Sequence, residues 1–290
     1  MCSTCGCSGE DSGTRVTLVP ETVLAGPADQ EHPHVDHDHP HGDHDHPHHG
    51  HEHGDDHDHE PDEGHGHGHV PAPAVEGSRT ILLEQEILAK NDTLAALNRH
   101  NFQERGITAV NLMSSPGSGK TTLLEQTVRA LAGTRETLVI EGDQETLLDA
   151  QRIRATGSRV VQINTGAGCH LDAQMLGSGL TELAPPDGSL VFVENVGNLV
   201  CPALFDLGET ARVVIVSVTE GADKPAKYPY MFRTADLVLL NKIDLLPYVE
   251  FDVELCLDLI TRLKPDAQIL QVSATRGDGL AGWHQWLAEL

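Results

Sequence analysis

The residues with the clearest chemical capacity lie in a few short stretches. MCSTCGCSGE carries Cys2, Cys5 and Cys7, a spacing that admits a disulfide, a metal site or a redox pair. ITAVNLMSSPGSGKTTLLEQ has the strand, Gly-rich loop and helix of a phosphate-binding loop. Gly117 and Gly119 let backbone N–H groups surround phosphate oxygens, Lys120 supplies a point charge, Thr121 offers a hydroxyl to Mg²⁺, and the helix that follows directs its positive end at the phosphates. The first glycine of the usual G-x-x-x-x-G-K-T pattern is Ser114 here, which leaves the later, closer-approaching glycines in place. DLVLLNKIDLL sets Asn241-Lys242-Ile243-Asp244 directly after an apolar run. A carboxylate there can accept from both N1–H and the exocyclic amine of guanine, a pair of donors that adenine lacks, so GTP is the expected nucleotide.

TLVIEGD ends on Asp143 and SLVFVE on Glu194, positions where an open α/β sheet binds ligands. Either carboxylate could hold Mg²⁺ or its water, or order the attacking water, and capping of the next helix is the plain alternative for each. Lys120, Asp143 and Glu194 are therefore the candidate catalytic residues. The D-x-x-G stretch of small GTPases is absent, Glu194-Asn195-Val196-Gly197 standing in its place, and no glutamine is evident to position water. Slow hydrolysis that depends on a partner or a dimer is expected. NTGAGCHLDA and ENVGNLVCPALFD bring a second donor set, Cys169, His170 and Cys201. Thiolate and imidazole suit Ni²⁺ or Zn²⁺, and three ligands leave a place for a fourth, for instance from a second subunit. On spacing alone, a small buried cysteine explains each thiol equally well. Cys256, in VELCLDLI, reads as core.

These stretches must be positioned by a fold, and the sequence from Arg79 onward supplies one. The apolar runs ITAVNLM, TLVIE, RVVQIN, SLVFVE, RVVIVSV, DLVLL and QILQVS alternate with helical segments such as TTLLEQTVRALA, ETLLDAQRIRAT and EFDVELCLDLITRL. Continuous apolar strands alternating with helices predict an α/β domain with a mostly parallel sheet covered on both faces. ILLEQEILAKNDTLAALNRHNF reads as a helix in which Leu83, Ile87, Leu94 and Leu97 recur near helical spacing. Upstream, residues 1–31 join the thiol segment to TRVTLVPETVLAGPADQ, which offers little periodicity. Residues 32–78 are a low-complexity tract and a Pro-containing linker, and residues 79–290 the folded domain. Sixteen of the nineteen histidines fall between His32 and His69, among Asp, Glu, Gly and Pro. Such a segment cannot offset its ordering entropy by burial and is expected to be disordered. Its imidazoles would give many weak, exchangeable metal sites, in preference to a solubilising tail or a tag, which would be purer in histidine.

Composition excludes several classes. The formal charge of −25 is uneven: residues 1–78 hold 17 of the 44 acidic residues and a single basic one, Arg15. The rest is an ordinary acidic domain without a basic stripe, so nucleic-acid binding is not expected. No apolar run reaches the roughly 18 residues of a membrane span, and the first residues lack the basic and apolar regions of a secretory signal. Six sparse cysteines fit a reducing cytoplasm, where thiols serve more often as ligands or catalysts.

SSPGSGKTTLLE, EGD, NTGAGCHLD, ENVGNLVCP and NKIDL, with the N-terminal CSTCGC, closely resemble the HypB family, the nickel-inserting GTPases of NiFe-hydrogenase maturation. Ser273-Ala274-Thr275 in QVSATRGDGL similarly resembles the GTPase loop that contacts the guanine oxygen. The resemblance covers residues 2–7 and the chain from about residue 80. It implies the dimerising, SIMIBI-type P-loop GTPase fold shared with signal-recognition-particle GTPases. Gly117, Ser118, Gly119, Lys120, Thr121 and Thr122 would hold the phosphates, with Thr121 and Asp143 toward Mg²⁺; Asn241, Lys242 and Asp244, beside Ser273 and Ala274, would hold guanine. Cys2, Cys5 and Cys7 would form a tight Ni²⁺ site. Cys169, His170 and Cys201 would form a weaker Ni²⁺ or Zn²⁺ site near the dimer interface that responds to nucleotide. The implied partners are a second copy, favoured by GTP, a HypA-type nickel chaperone and the hydrogenase large-subunit precursor, with the histidine tract as a nickel store.

Two other readings stand beside this one. A urease-type nickel GTPase would be expected to carry Cys-Pro-His, where this chain has Cys201-Pro202-Ala203; a passive nickel or zinc store would not need the intact phosphate loop. Loss of Met1 would add the α-amine of Cys2 to three thiolates, a donor set suited to tetragonal Ni²⁺. Glu194 and Cys201 are seven residues apart, so a nucleotide-driven switch in that segment could make or break a thiolate ligand.

Overall fold

The computed structural model describes residues 14–20, 75–144 and 147–290. Cys2, Cys5, Cys7, the histidine tract and most of the linker lie outside the described residues. In chain order the elements are β1 (Arg15–Leu18), α1 (Val75–Glu104), β2 (Thr108–Ser114), α2 (Lys120–Leu131), β3 (Thr137–Asp143) and α3 (Leu148–Arg154). Then come β4 (Arg159–Asn164), α4 (Ala173–Leu183), β5 (Leu190–Glu194), α5 (Cys201–Leu204) and β6 (Ala211–Ser217). The last are α6 (Lys224–Lys227), α7 (Pro229–Arg233), β7 (Leu237–Asn241), a 3-10 helix (Ile243–Tyr248), α8 (Val253–Leu263), β8 (Gln268–Gln271) and α9 (Leu280–Glu289).

The strands form one sheet in the order β1-β4-β3-β5-β2-β6-β7-β8, with every neighbouring pair from β4 to β8 parallel. Successive side chains of a strand point to opposite faces, so a strand covered on both sides must be apolar throughout. Along β5, Leu190 and Phe192 join the core beneath α2, α3 and α9, with Leu123, Leu124, Ile153 and Trp283. Val191 and Val193 join the opposite layer, with Phe102 of α1 and Leu176 and Leu183 of α4. Met113, Val214 and Val238 pack under Met231 and Phe232 of α7 and Cys256 and Ile260 of α8. Burial pushes the Cys256 thiol up to about 11, as befits a core sulfur. The expected mostly parallel, doubly covered sheet is the one observed. Among the described residues, no helix is long and apolar enough to cross a membrane.

Two elements differ from the sequence reading. RVTL, in a stretch with little periodicity, is the edge strand β1, antiparallel to β4. Its signal is weak because a four-residue edge strand owes its order to the partner it pairs with and to the burial of Val19. Helix α1 is present, but its leucine stripe does not face the core: Leu83, Ile87 and Leu97 are exposed. The helix docks instead through Asn91, Ala95, Asn98, Arg99 and Phe102. Asn91 donates to the Asp206 carbonyl (2.8 Å) and accepts from Ala173 N (2.9 Å); Asn98 donates to the carbonyls of Ala173 (2.9 Å) and Leu207 (3.1 Å). Arg99 pairs with Asp206 at 2.7 Å. Helical periodicity reports which residues share a face, not which face is buried, and here polar side chains hold the backbone of the neighbouring loops. A cavity of about 290 Å³ among Arg99, Asp206, Glu209 and Arg212 sits at the start of β6, its charges paired with one another.

The close approach of α1 has one structural requirement. Gly208 has φ +84°, and a Cβ there would lie within 2.3 Å of the Ala95 carbonyl oxygen. Gly208→Ala is expected to displace α1 and lower stability by about 2–4 kcal/mol, through strained backbone and overpacking together. Thermal or urea unfolding checks it; an unchanged midpoint would show that α1 does not depend on this contact.

Candidate functional site

The carboxyl ends of β2, β3, β5 and β7 converge on a cavity of about 500 Å³. Its floor is the phosphate loop. Gly117 (φ +73°) and Gly119 (φ +99°) take left-handed conformations that turn the chain into α2, whose first two residues are Lys120 and Thr121. Lys120 Nζ donates to the Ser114 hydroxyl at 2.9 Å, so the residue that replaces the usual first glycine is buried and meets the loop's cation. The NKID stretch packs directly on this loop. Asn241 donates to the Ser118 carbonyl (2.9 Å) and accepts from Ala274 N (3.1 Å), tying the phosphate loop to the loop after β8. Lys242 donates to the Gly117 carbonyl at 2.7 Å from a left-handed backbone (φ +62°), a conformation that costs a non-glycine residue energy and is held by these contacts. Asp244 follows in the 3-10 helix. The structure thus brings the two nucleotide-type motifs together at one end of the sheet.

Four groups from adjacent strand ends line the cavity wall: Glu141, Asp143, Gln144 and Glu194. Glu194 Oε1 accepts from the Thr121 hydroxyl at 2.7 Å, while its Oε2 is buried without a hydrogen-bond partner among the described residues. Burial pushes the Glu194 carboxyl up, against Lys120 and the Thr121 hydroxyl, which favour the anion. Glu141 lies opposite it in register across β3 and β5 and was not singled out by sequence. Burial, then the nearby charge of Glu194, pushes the Glu141 carboxyl up to about 9. Mg²⁺ takes hard oxygen ligands. The Thr121 hydroxyl and the orphaned Glu194 oxygen, beside Asp143, are a donor set that fits it. Gln144, which directly follows Asp143 and was not singled out by sequence, lines the same cavity. Its amide donates to the Gly168 carbonyl at 3.3 Å. Arg152 of α3 closes the mouth, donating to Glu125 (2.7 Å), Asp149 (3.0 Å) and Thr122 (3.3 Å).

Beyond this wall the structure gathers Cys169, His170 and Cys201, whose ligand atoms all lie within 4.8 Å of one another. Each residue is half-buried. The His170 ring stacks on Phe205, centroids 3.9 Å apart, and burial holds its pKa below the ordinary value, so the imidazole is neutral and able to ligate near pH 7. The loop after β5 joins cluster to cavity. Asn195 Oδ1 accepts from Leu171 N (3.1 Å) and Val196 N (3.0 Å), and its amide donates to Asn111 Oδ1 of β2 (3.3 Å). Asn198 donates to the Cys169 carbonyl at 3.2 Å. Between them Gly197 abuts the phosphate loop so closely that a Cβ would lie 3.0 Å from Pro116 backbone atoms. These asparagines were invisible as functional residues because their role is a contact with residues more than twenty positions away.

The buried Glu141 generates a pH prediction. Its folded pKa lies above the unfolded value, so its stabilising proton is fully counted below about pH 4.5 and lost as pH rises toward about 9. Glu141→Gln is expected to raise stability at pH 8 by at least about 1 kcal/mol, with no gain near pH 4. Unfolding of nucleotide-free protein in chelator across this range measures it; equal effects at both pH values would refute the assigned burial penalty.

The family model for the CobW/HypB/UreG nucleotide-binding domain matches residues 108–271. Hydrogenase maturation factor HypB of Azotobacter chroococcum is 56% identical over 216 residues, 74% of this chain and 71% of that protein. The factor of the same name from Escherichia coli K12 is 52% identical over 216 residues, with 74% of each chain covered. Among solved structures, Archaeoglobus fulgidus HypB aligns with TM-score 0.66 and 41% identity, over 70% of this chain and 98% of that one. Helicobacter pylori HypB, solved in complex with nickel, aligns with TM-score 0.65 and 39% identity, over 69% and 94%. With a phosphate loop, a guanine-type NKID loop and a thiol–imidazole cluster on one sheet end, and with these relatives, the chain belongs to the HypB family of hydrogenase maturation factors.

Proposed function

We propose that this protein hydrolyses GTP and carries Ni²⁺ as its cargo to the hydrogenase large-subunit precursor, nucleotide state setting the affinity of the Cys169/His170/Cys201 site. The observation that carries this reading is the single loop shared by the two centres: residues 194–201 begin at a carboxylate bonded to the phosphate-loop Thr121 and end at a thiol of the cluster. Nickel in the Helicobacter pylori structure supports the choice of cargo. Zn²⁺ would fit the same thiolate–imidazole donors.

Lys120 and the backbone amides of the loop neutralise the phosphates, and Asp244 accepts the two guanine donors. Thr121 and Glu194 would hold Mg²⁺, which would supply charge stabilisation to the phosphates. Asp143 and Gln144, which line the same cavity, would orient water for in-line attack. A γ-phosphate would press on the Pro116–Gly197 contact. Asn195 and Asn198 would then pass the displacement to the backbone of Leu171 and Cys169, moving one thiolate relative to Cys201. A ligand shifts such an equilibrium only through unequal affinity for its two states. Dimerisation on GTP, with the metal cluster near the interface, and docking of a HypA-type chaperone complete the proposed cycle. The N-terminal Cys2, Cys5 and Cys7 serve as a second nickel site.

Four outcomes test this. Ni²⁺ affinity of protein with Cys2, Cys5 and Cys7 changed to Ser should differ at least fivefold between GDP and a non-hydrolysable GTP analogue. Equal affinities would sink the coupling. In the same background Asn198→Ala should shrink that difference toward unity while leaving GTP turnover within a few-fold of the parent. Lys120→Ala should lower turnover about a hundredfold or more, and Asp244→Ala should cut the preference for GTP over ATP by a similar factor. Retained turnover or retained selectivity, measured by phosphate release with each nucleotide, would contradict the assigned roles.

A further inference from the structure

The guanidinium of Arg152 stands at the mouth of the nucleotide cavity, over the first turn of α2. Its place follows from packing: Ala150 and Ile153 of α3 share a core with Leu123 and Leu124 of α2. Thr122 and Glu125, three positions apart, lie on one face of α2. One terminal nitrogen of Arg152 donates to Glu125 Oε2 (2.7 Å) and to the Thr122 hydroxyl (3.3 Å), the other to Asp149 Oδ1 (3.0 Å). These bonds are unequal. The one to Glu125 is short and charge-assisted, whereas the one to Thr122 is long and reaches a neutral hydroxyl. A guanidinium fork has five donors, and these bonds use three. A phosphate oxygen beside Thr122 is a better partner for it than the hydroxyl.

Charge favours that exchange. Among the described residues, the cavity is lined by the carboxyl groups of Glu141, Asp143, Asp149 and Glu194, which a polyphosphate must enter against. Its cations are Lys120, Lys242 and Arg152. Lys242 is bonded to the Gly117 carbonyl, and Lys120 is buried at the floor against Ser114. Arg152, with 45% of its side chain exposed, is the cation on the α3 side of the mouth. The lysine of a phosphate loop reaches the β- and γ-phosphates, which leaves the α-phosphate to groups nearer the mouth.

We propose that Arg152 binds the nucleotide, giving up its bonds to Thr122 and Asp149 for the α-phosphate of GDP or GTP while Glu125 holds its guanidinium in place. This rests on reading the cavity as a GTP site. Because GDP and GTP share the α-phosphate, the contact stabilises bound substrate and transition state alike. It therefore governs affinity and leaves the chemical step unchanged. Asp149, a rival acceptor and a negative charge in the same cavity, opposes binding.

The test is titration of the full chain with GDP, followed by calorimetry, beside steady-state GTP hydrolysis. Arg152→Ala should weaken GDP binding about tenfold or more and raise KM for GTP by a like factor, with kcat within about threefold of the parent. Arg152→Lys, which keeps the charge without the fork, should recover part of the loss. Asp149→Ala should have the opposite sign and tighten GDP about twofold to fivefold. The two diastereomers of GDPαS, with sulfur in place of one or the other non-bridging α-oxygen, report the contact directly. Their affinity ratio should shift at least about threefold in Arg152→Ala. If Arg152 only ties α3 to α2, Arg152→Ala and Asp149→Ala will both lose affinity and the diastereomer ratio will stay put; either result overturns the proposal. A fall in kcat with unchanged GDP affinity overturns it too, by moving the arginine to the γ-phosphate. Failure of the underlying reading looks different: Lys120→Ala would then bind GDP as tightly as the parent.

Discussion

One side-chain amide, that of Asn195, joins three parts of the molecule that the chain keeps far apart. Its oxygen accepts from the backbone of Leu171 beside the thiol–imidazole cluster and from Val196 in its own loop, and its nitrogen donates to Asn111 in the middle of the sheet. Asn111 in turn donates to Glu209 (3.1 Å), which accepts from Arg212 (2.6 Å). Every member of this chain is buried or nearly so, and a buried polar network is stable only when its groups are satisfied. The loop after β5 is consequently tied to both centres, to the phosphate loop at Gly197 and to the cluster at Asn195 and Asn198. The relative placement of the two centres depends on this constraint more than on any contact between their own side chains.

The carboxylates show the opposite situation. Glu141 and Glu194 face each other from adjacent strands, each with an oxygen that has no hydrogen-bond partner among the described residues. Burying such groups costs free energy, and the fold tolerates this where the cavity opens. Desolvated carboxyls beside a lysine and a threonine hydroxyl are a common sign of a place built for a charged ligand. The strained left-handed Lys242, bonded to Gly117, belongs to the same pattern: local cost at the site, offset by a continuous core on both sheet faces.

Much of the architecture was legible in sequence. Strands such as LVFVE and LVLLN are apolar at every position but the last because both faces are covered, and that pattern points to a parallel, helix-sandwiched sheet. The motifs PGSGKTT and NKID likewise announce themselves, because phosphate and guanine recognition demand particular residue types at neighbouring positions. Helix α1 was legible as a helix but not in its orientation. Leu83, Ile87 and Leu97 share a face, yet the buried face is the one whose asparagines bond to loops more than seventy residues away. Strand β1 was not legible, since four edge residues carry too little pattern of their own. Glu141 escaped because a single glutamate within an apolar strand does not show on which face it lies or what carboxylate stands opposite.

By itself, the sequence determined the chemistry available: a phosphate loop, an NKID loop, two sets of thiols and the apolar runs that must pair in parallel. Such features are local, written in residue type and in spacings of a few positions. Only the tertiary structure decided that Cys201, thirty-one positions beyond His170, completes a cluster with it and with Cys169. It also decided that Asn195 and Asn198 hold that cluster to the phosphate loop, and that β1 closes the sheet edge antiparallel to β4. Those relations depend on strand order and direction, set by the packing of the whole core and by no single stretch of it.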